Sequence, residues 1–281
     1  MNEPIQGVQG VQGGIALADG AKDEMSSKEL ETAKQPQAYA RKPFLGIQNP
    51  VLSEIASIAF LIAIVLVIRS SVFSIYVIPT GSMLPTIKID DRVFANKLAY
   101  GLMLPLTETQ IISWDTPKRG EIVLFKSPIE DQTFVKRIVG VGGDRVSLQN
   151  GVLTINGVVS DETIQTDRSV MRDMGGEDDP DSRNLYLERA LEIPEHFVLR
   201  SKLGGITFYE ARTFVVPEGK IFLMGDNRDG SNDSRSWGFI NANQVYGRAS
   251  FVLYSTDRTS KGVLPKFRTD RFFRKLSSLD P

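Results

Sequence analysis

Thr133-Phe134-Val135-Lys136-Arg137-Ile138-Val139-Gly140-Val141, closed by Gly142-Gly143-Asp144, is dense in β-branched and aromatic residues and stops at a glycine pair. That is the composition of a strand running into a turn. A period of two then puts Phe134, Lys136 and Ile138 on one face and Val135, Arg137 and Val139 on the other. The glycines do not form a dinucleotide fingerprint, because Gly140-Val141-Gly142-Gly143-Asp144-Arg145 lacks the final glycine and no nucleotide-binding βαβ pattern surrounds it. Similar short runs flank it at Glu121–Phe125, Val146–Leu148, Val152–Ile155, Thr213–Val216, Ile221–Met224 and Ala249–Tyr254. Short runs punctuated by turns predict a mostly β, antiparallel domain. Asn150-Gly151 and Asn156-Gly157 supply positive φ at little cost and predict a hairpin around residues 146–159.

Toward the N-terminus the pattern changes. From Val51 to Ile68 the chain is almost continuously apolar, and eighteen residues at the helical rise span about 27 Å, nearly a bilayer. A buried core helix would show an amphipathic stripe, and none is visible. Apolar character resumes at Val72–Ile78, so a transmembrane helix is expected over 49–75. Residues 1–43 are rich in Gly, Gln, Ala and charge with no sustained apolar period, and 1–48 read as a disordered tail. Their basic residues lie too far from the apolar run to form the n-region of an ordinary signal peptide. Arg41 and Lys42 precede the span, and after Arg69 no basic residue occurs before Lys88. This bias places the tail in the cytoplasm and residues 76–281 outside it.

The remaining composition removes several functions. A net charge of −1 offers no field to gather nucleic acid, and no RNA-binding signature occurs. With no cysteine and one histidine, disulfides, a thiolate nucleophile and multi-histidine metal sites are ruled out. That histidine, His196, falls in Ile193-Pro194-Glu195-His196-Phe197, which reads as a loop carrying a surface or structural histidine. Residues 161–212 are more polar, include the acidic run Gly175–Asp181, and read as an insertion or small subdomain. Lys266–Lys275 sets five basic residues around Phe267, Phe272 and Phe273; it fits either an anionic membrane face or a solvated tail.

Three segments carry chemistry. In Ile78-Pro79-Thr80-Gly81-Ser82-Met83-Leu84-Pro85-Thr86 two prolines and a glycine can present one hydroxyl rigidly, although an ordinary surface turn would look alike. Lys136 has apolar neighbours on its own strand face. Lowering a lysine pKa from about 10.4 to about 8 costs roughly 3 kcal/mol, within reach of desolvation, and a neutral lysine can take a proton from a serine. Equally, Lys136 and Arg137 could snorkel from an edge strand. Gly225-Asp226-Asn227-Arg228-Asp229-Gly230-Ser231-Asn232-Asp233-Ser234-Arg235-Ser236-Trp237-Gly238 is no calcium loop: with Gly230 aligned, Gly225 takes the first ligand position and Ser236 the place of the bidentate Glu. A rigid hydrogen-bonded loop with an internal Asp–Arg pair remains.

In this order, Pro79–Thr86, Arg119–Phe125, Val135–Gly140 and Gly225–Arg235, following a membrane span, closely resemble the type I signal peptidases. The resemblance implies a Ser-Lys dyad serine endopeptidase, needing no metal or cofactor, on a membrane-anchored β scaffold. Its substrates would be exported preproteins, cut after small residues in an Ala-x-Ala pattern. By motif position Ser82 is the nucleophile and Lys136 the base. Thr80, where the family often has serine, would form the oxyanion hole with the Ser82 N–H. Ser231 would orient the lysine, Asp233 and Arg235 support it, and Ile78, Met83, Phe134 and Val135 line the substrate pockets. The implied surroundings are a lipid bilayer beside the protein-export machinery, in the cell membrane or an internal membrane such as a thylakoid. A protease of the same ancestry maturing a narrow set of proteins fits equally, and a binding module retaining the motifs as scaffold is the non-enzymatic alternative.

Overall fold

The computed structural model describes residues 44–105, 107, 109–174, 179–203, 212–257 and 265–276. The expected tail, apart from residues 44–48, and residues 175–178 of the acidic run lie outside them. The chain divides into two compact units between Ser57 and Ile58. Helix α1 occupies Pro50–Ser71. It starts there because the Asn49 side chain accepts from the N–H groups of Val51 and Leu52 and Pro50 sits where no intrahelical donor is needed. Its large apolar side chains from Val51 to Ile68 are all exposed, and its 22 residues measure about 33 Å. It is long and apolar enough to cross a membrane. The helix stops at Ser71 rather than reaching residue 75. The β-branched and aromatic residues that follow enter a strand, β1 (Phe73–Val77), whose backbone pairs with β2 (Asp91–Asn96).

After the small hairpin of β3 (Gly101–Met103) and β4 (Gln110–Ser113) come β5 (Ile122–Lys126) and β6 (Thr133–Val141), then the predicted hairpin as β7 (Arg145–Gln149), β8 (Val152–Ile155) and β9 (Val158–Val159). Asn150, Gly151, Asn156 and Gly157 all have positive φ, as the Asn-Gly turns require. Next come β10 (Asp161–Ile164), β11 (Arg183–Ala190), β12 (Ile193–Ser201), β13 (Thr213–Val215) and β14 (Lys220–Met224). A short helix, α2 (Ser234–Trp237), leads to β15 (Ile240–Asn241), the long β16 (Val245–Asp257), β17 (Lys266–Phe267) and β18 (Arg274–Lys275).

The main sheet runs β1-β2-β16-β5-β6-β14-β15, with β17 and β18 also on β16, and its pairings are antiparallel. Strand β5 shows why this sheet forms the core. Ile122 and Leu124 join one apolar cluster with Ile78, Met83 and Ile87, while Val123 and Phe125 join another with Ile138 and Leu223. Both faces of the pleat are therefore buried, and the strand reads as a continuous apolar run. The fold is mostly antiparallel β, as the sequence predicts.

The polar stretch after Asp161 is more ordered than its composition suggests: β10, β11 and β12 form a three-stranded sheet. His196 accordingly lies in strand β12, not in a loop, and is 4% exposed. The segment reads as polar because the groups it buries include a charge and an imidazole: Glu188 of β11 pairs with Arg228, and burial keeps His196 of β12 neutral, its pKa lowered to about 4, with its Nδ1 at the carbonyl of Pro194. Leu185 and Leu199 of the same sheet pack with Met171 and Met174 around Leu84.

Candidate active site

Strand β6 presents Lys136 and Arg137 to opposite sides, as period two demands, yet both are buried, at 4% and 3% exposure. Neither snorkels, because β6 lies between β5 and β14 rather than at an edge. Lys136 Nζ reaches the loop after β1 and lies 2.6 Å from Ser82 Oγ; its other bond goes to the carbonyl of Val135, at 3.2 Å. The ring of Phe134, on the same face, has its centroid 5.3 Å from Nζ. Burial pushes the Lys136 ammonium down to about 8, against the opposing pull of Asp233 and Asp226 and with a smaller push from Arg235. A substantial fraction is thus neutral near physiological pH, with Nζ able to accept the Ser82 proton.

Arg137 anchors the other side of the strand. Its guanidinium forms a two-pronged pair with Asp226, 2.8 and 2.7 Å, and donates to the carbonyl of Gly120. Burial alone would raise the Asp226 carboxyl, but Arg137 holds it below the usual range. Asp226 also accepts from Thr86 Oγ1 at 2.6 Å. Beside it Asn227 donates from its backbone N–H to Ser82 O and from Nδ2 to Gly81 O, both at 3.1 Å. The loop that precedes Ser231 thus grips the backbone on which Ser82 sits. Gly225 makes the close approach feasible: a Cβ there would fall 2.4 Å from both Ser82 O and Ser231 Oγ.

Asp233 accepts from Gly225 N, caps α2 by accepting from Arg235 N, and pairs with the Arg235 guanidinium at 2.7 and 2.8 Å. Arg235 Nη2 in turn donates to Arg228 O. Ser231 Oγ is buried and forms no hydrogen bond among the described residues; Lys136 Nζ is engaged by Ser82 and Val135 instead. The expected contact between Ser231 and the lysine is therefore open here, although both border the same loop. Thr80 is exposed at the mouth of a cleft whose lining includes Ser82, Lys136, Ile78, Met83, Phe134 and Val135. The structure thus brings Thr80, the two polar candidates and the four pocket candidates together in one cleft. Arg137, Thr86, Asp226 and Asn227 carry this geometry without having been singled out in the sequence. The alternation opposite Lys136 was the available signal for Arg137; Asp226 and Asn227 stand in the loop motif, but no spacing shows that they hold a segment 140 or more positions away.

Among the described residues no group of acidic or histidine side chains could hold a metal ion.

Residues 51–254 match the family described as Signal peptidase, peptidase S26. A signal peptidase I of Pseudomonas aeruginosa is 32% identical, the alignment covering 78% of each chain. A signal peptidase I of Rickettsia typhi is also 32% identical, over 82% of this chain and 96% of its own; one of Haemophilus influenzae is 30% identical, over 92% and 82%. The match spans the apolar helix, the loop of Ser82, β6 and the loop of Ser231; of these, the loop of Ser82, β6 and the loop of Ser231 meet at the cleft. The chain therefore belongs to the signal peptidase family, peptidase S26, and is a serine endopeptidase.

Proposed function

We propose that the protein is a membrane-anchored signal peptidase that removes N-terminal signal peptides from exported preproteins, with Ser82 as nucleophile and Lys136 as general base. The observation that carries this reading is the 2.6 Å approach of Lys136 Nζ to Ser82 Oγ in a setting that lowers the lysine to about 8. Neutral Lys136 takes the hydroxyl proton as Ser82 Oγ attacks the scissile carbonyl carbon. The charge developing on the carbonyl oxygen is met by the Ser82 N–H, which donates to no protein acceptor among the described residues, and by the Thr80 hydroxyl at the cleft mouth. The Lys136 ammonium passes its proton to the leaving amine as the peptide bond breaks, leaving the signal peptide esterified to Ser82. Lys136, neutral again, accepts a proton from water as that water attacks the ester. The Ser231 hydroxyl, buried beside the loop with no hydrogen-bond partner among the described residues, orients the lysine during turnover, while Asp233 and Arg235 hold the Ser231 loop.

Ile78 and Met83 are buried, and with Phe134 and Val135 they line the cleft beside Ser82, where they would form small apolar pockets. Pockets of that kind accept Ala and reject bulk sterically, hence cleavage at Ala-x-Ala-like sites. The apolar helix α1 spans the bilayer, with residues before it in the cytoplasm and the β domain on the other face beside the export machinery. Purified full-length protein in detergent, given a preprotein with an Ala-x-Ala site, should cut at that site. Ser82→Ala and Lys136→Ala should each abolish cleavage, and retained cleavage in both would sink the dyad. Replacing both alanines of the site by leucine should abolish cleavage as well.

A further inference from the structure

The nucleophile loop is held from behind by the sheet formed from β10, β11 and β12. Leu84, two residues past Ser82 and fully buried, packs among Met171, Met174, Leu185 and Leu199. Lys88 donates to the carbonyl of Arg172, and Ile89 N–H to that of Met174. The same sheet also grips the loop that grips Ser82. Leu199 N–H donates to Asp226 O at 2.9 Å, and Ser201 N–H to Asp229 Oδ2 at 2.6 Å. At the centre stands Glu188, 0% exposed, whose two carboxylate oxygens accept from the two terminal nitrogens of Arg228. Arg228 is itself 3% exposed, and its carbonyl accepts from Arg235, the partner of Asp233. One residue earlier, Asn227 holds Gly81 and Ser82. His196 fills the space between the two buried carboxylates, its Nε2 3.5 Å from Glu188 and 3.9 Å from Asp226.

We infer that Glu188, on strand β11 of the insertion, is a positioning residue for peptide cleavage: by pairing with Arg228 it fixes the loop 225–235, and through Asn227 the backbone of Ser82. This rests on the assignment of Ser82 as nucleophile. The physical warrant is that Arg228 is buried and its two terminal nitrogens are met by Glu188. Without the Glu188 charge, a buried guanidinium must move toward water, and Arg228 lies next in sequence to Asn227, with its carbonyl on Arg235. Such a move first displaces the serine relative to the lysine, because Asn227 bonds the carbonyls of Gly81 and Ser82. Displacements of about 1 Å at a reacting centre cost up to about a hundredfold in rate. The insertion is therefore a brace for the catalytic loop, not an appendage.

The test uses full-length protein in detergent and a preprotein substrate, with kcat and KM measured well below the melting temperature of each variant. Glu188→Gln should lower kcat by about tenfold or more while KM stays within about twofold, the split expected of lost alignment. Glu188→Asp, which keeps the charge on a shorter arm, should fall between Glu188→Gln and the wild type. A purely structural Glu188 would lower the melting temperature and leave kcat and KM of the folded enzyme unchanged, which overturns the inference. If Glu188→Gln does not fold, Glu188→Asp decides alone: kcat equal to wild type refutes the brace. Ser82→Ala, run alongside, separates the two levels, since retained cleavage there would fell the nucleophile assignment, whereas its loss with normal kcat in the Glu188 variants would fell only this inference.

Discussion

Lys136→Met should inactivate the enzyme and stabilise it. The folded Lys136 titrates near 8 against an ordinary value of 10.5, a displacement equivalent to about 3 kcal/mol. Between those two values the unfolded chain holds a proton that the folded chain has released, so stability rises with pH across the window. Below pH 8 both states hold the proton and the penalty is complete; above 10.5 neither does and it vanishes. Methionine has nearly the length of the lysine stem and carries no charge, so it removes the penalty and keeps most of the packing. Against this stand the lost hydrogen bonds to Ser82 and to the carbonyl of Val135, together worth about 1–2 kcal/mol. The net expectation at pH 6.5 is a gain of about 1–2 kcal/mol, or roughly 3–5 °C in Tm, vanishing toward pH 9.5. Denaturant titration of wild type and variant at the two pH values, in one detergent, measures it. Lys88, also lowered to about 8 by burial, is common to both proteins and cancels in the difference. A variant that is less stable at pH 6.5, or a difference that does not change with pH, would refute the picture of a desolvated lysine.

Three further outcomes follow from the geometry. Cleavage by the wild type should rise with pH and level off above about 8, because in the proposed mechanism it is neutral Lys136 that takes the serine proton; initial rates from pH 6 to pH 10 test this. Gly225→Ala should cut kcat by about a hundredfold in a protein that still folds, since its Cβ would collide with Ser82 O and Ser231 Oγ; a normal kcat would show that the loop yields freely. Arg137→Met strands Asp226 as a buried lone carboxylate and should cost about 3–5 kcal/mol in denaturant stability, much of it recovered on adding Asp226→Leu.

The β scaffold was legible because its strands obey simple periods. The run at 122–125 is continuous in apolar residues because both faces of its strand are buried, and Asn-Gly pairs mark the hairpin turns by their need for positive φ. The polar chemistry was legible only in part. Lys136 among apolar neighbours signals a desolvated base, but its nearest functional partner is 54 positions away, and only the order of the motifs joins the two. His196 was misread as lying in a loop for a physical reason: charge inside a sheet, neutralised pairwise as in Glu188 with Arg228, is indistinguishable in one dimension from charge on its surface. The end of α1 was misplaced because Val72 to Ile78 is as compatible with a strand as with a helix, and pairing with β2 is a long-range fact that no local composition carries.

The lysine and the insertion are two sides of one requirement. A base with a depressed pKa must be kept from water, and in the uncharged apolar core of a small β sheet nothing would hold a neighbouring hydroxyl to within hydrogen-bond distance of it. Here that hold comes from a second buried layer made of ion pairs, Arg137 with Asp226 and Arg228 with Glu188, each in contact with the loops on which Ser82 and Ser231 lie. Such pairs contribute little net stability compared with apolar residues of the same volume, yet they are costly to separate and therefore allow few alternative arrangements. A site built this way gives up stability at Lys136 and regains definition in the layer behind it. Replacing both Arg228 and Glu188 by apolar residues should then yield a protein as stable as the wild type, or more so, that cleaves more slowly; equal stability with undiminished kcat would show that packing alone aligns the serine.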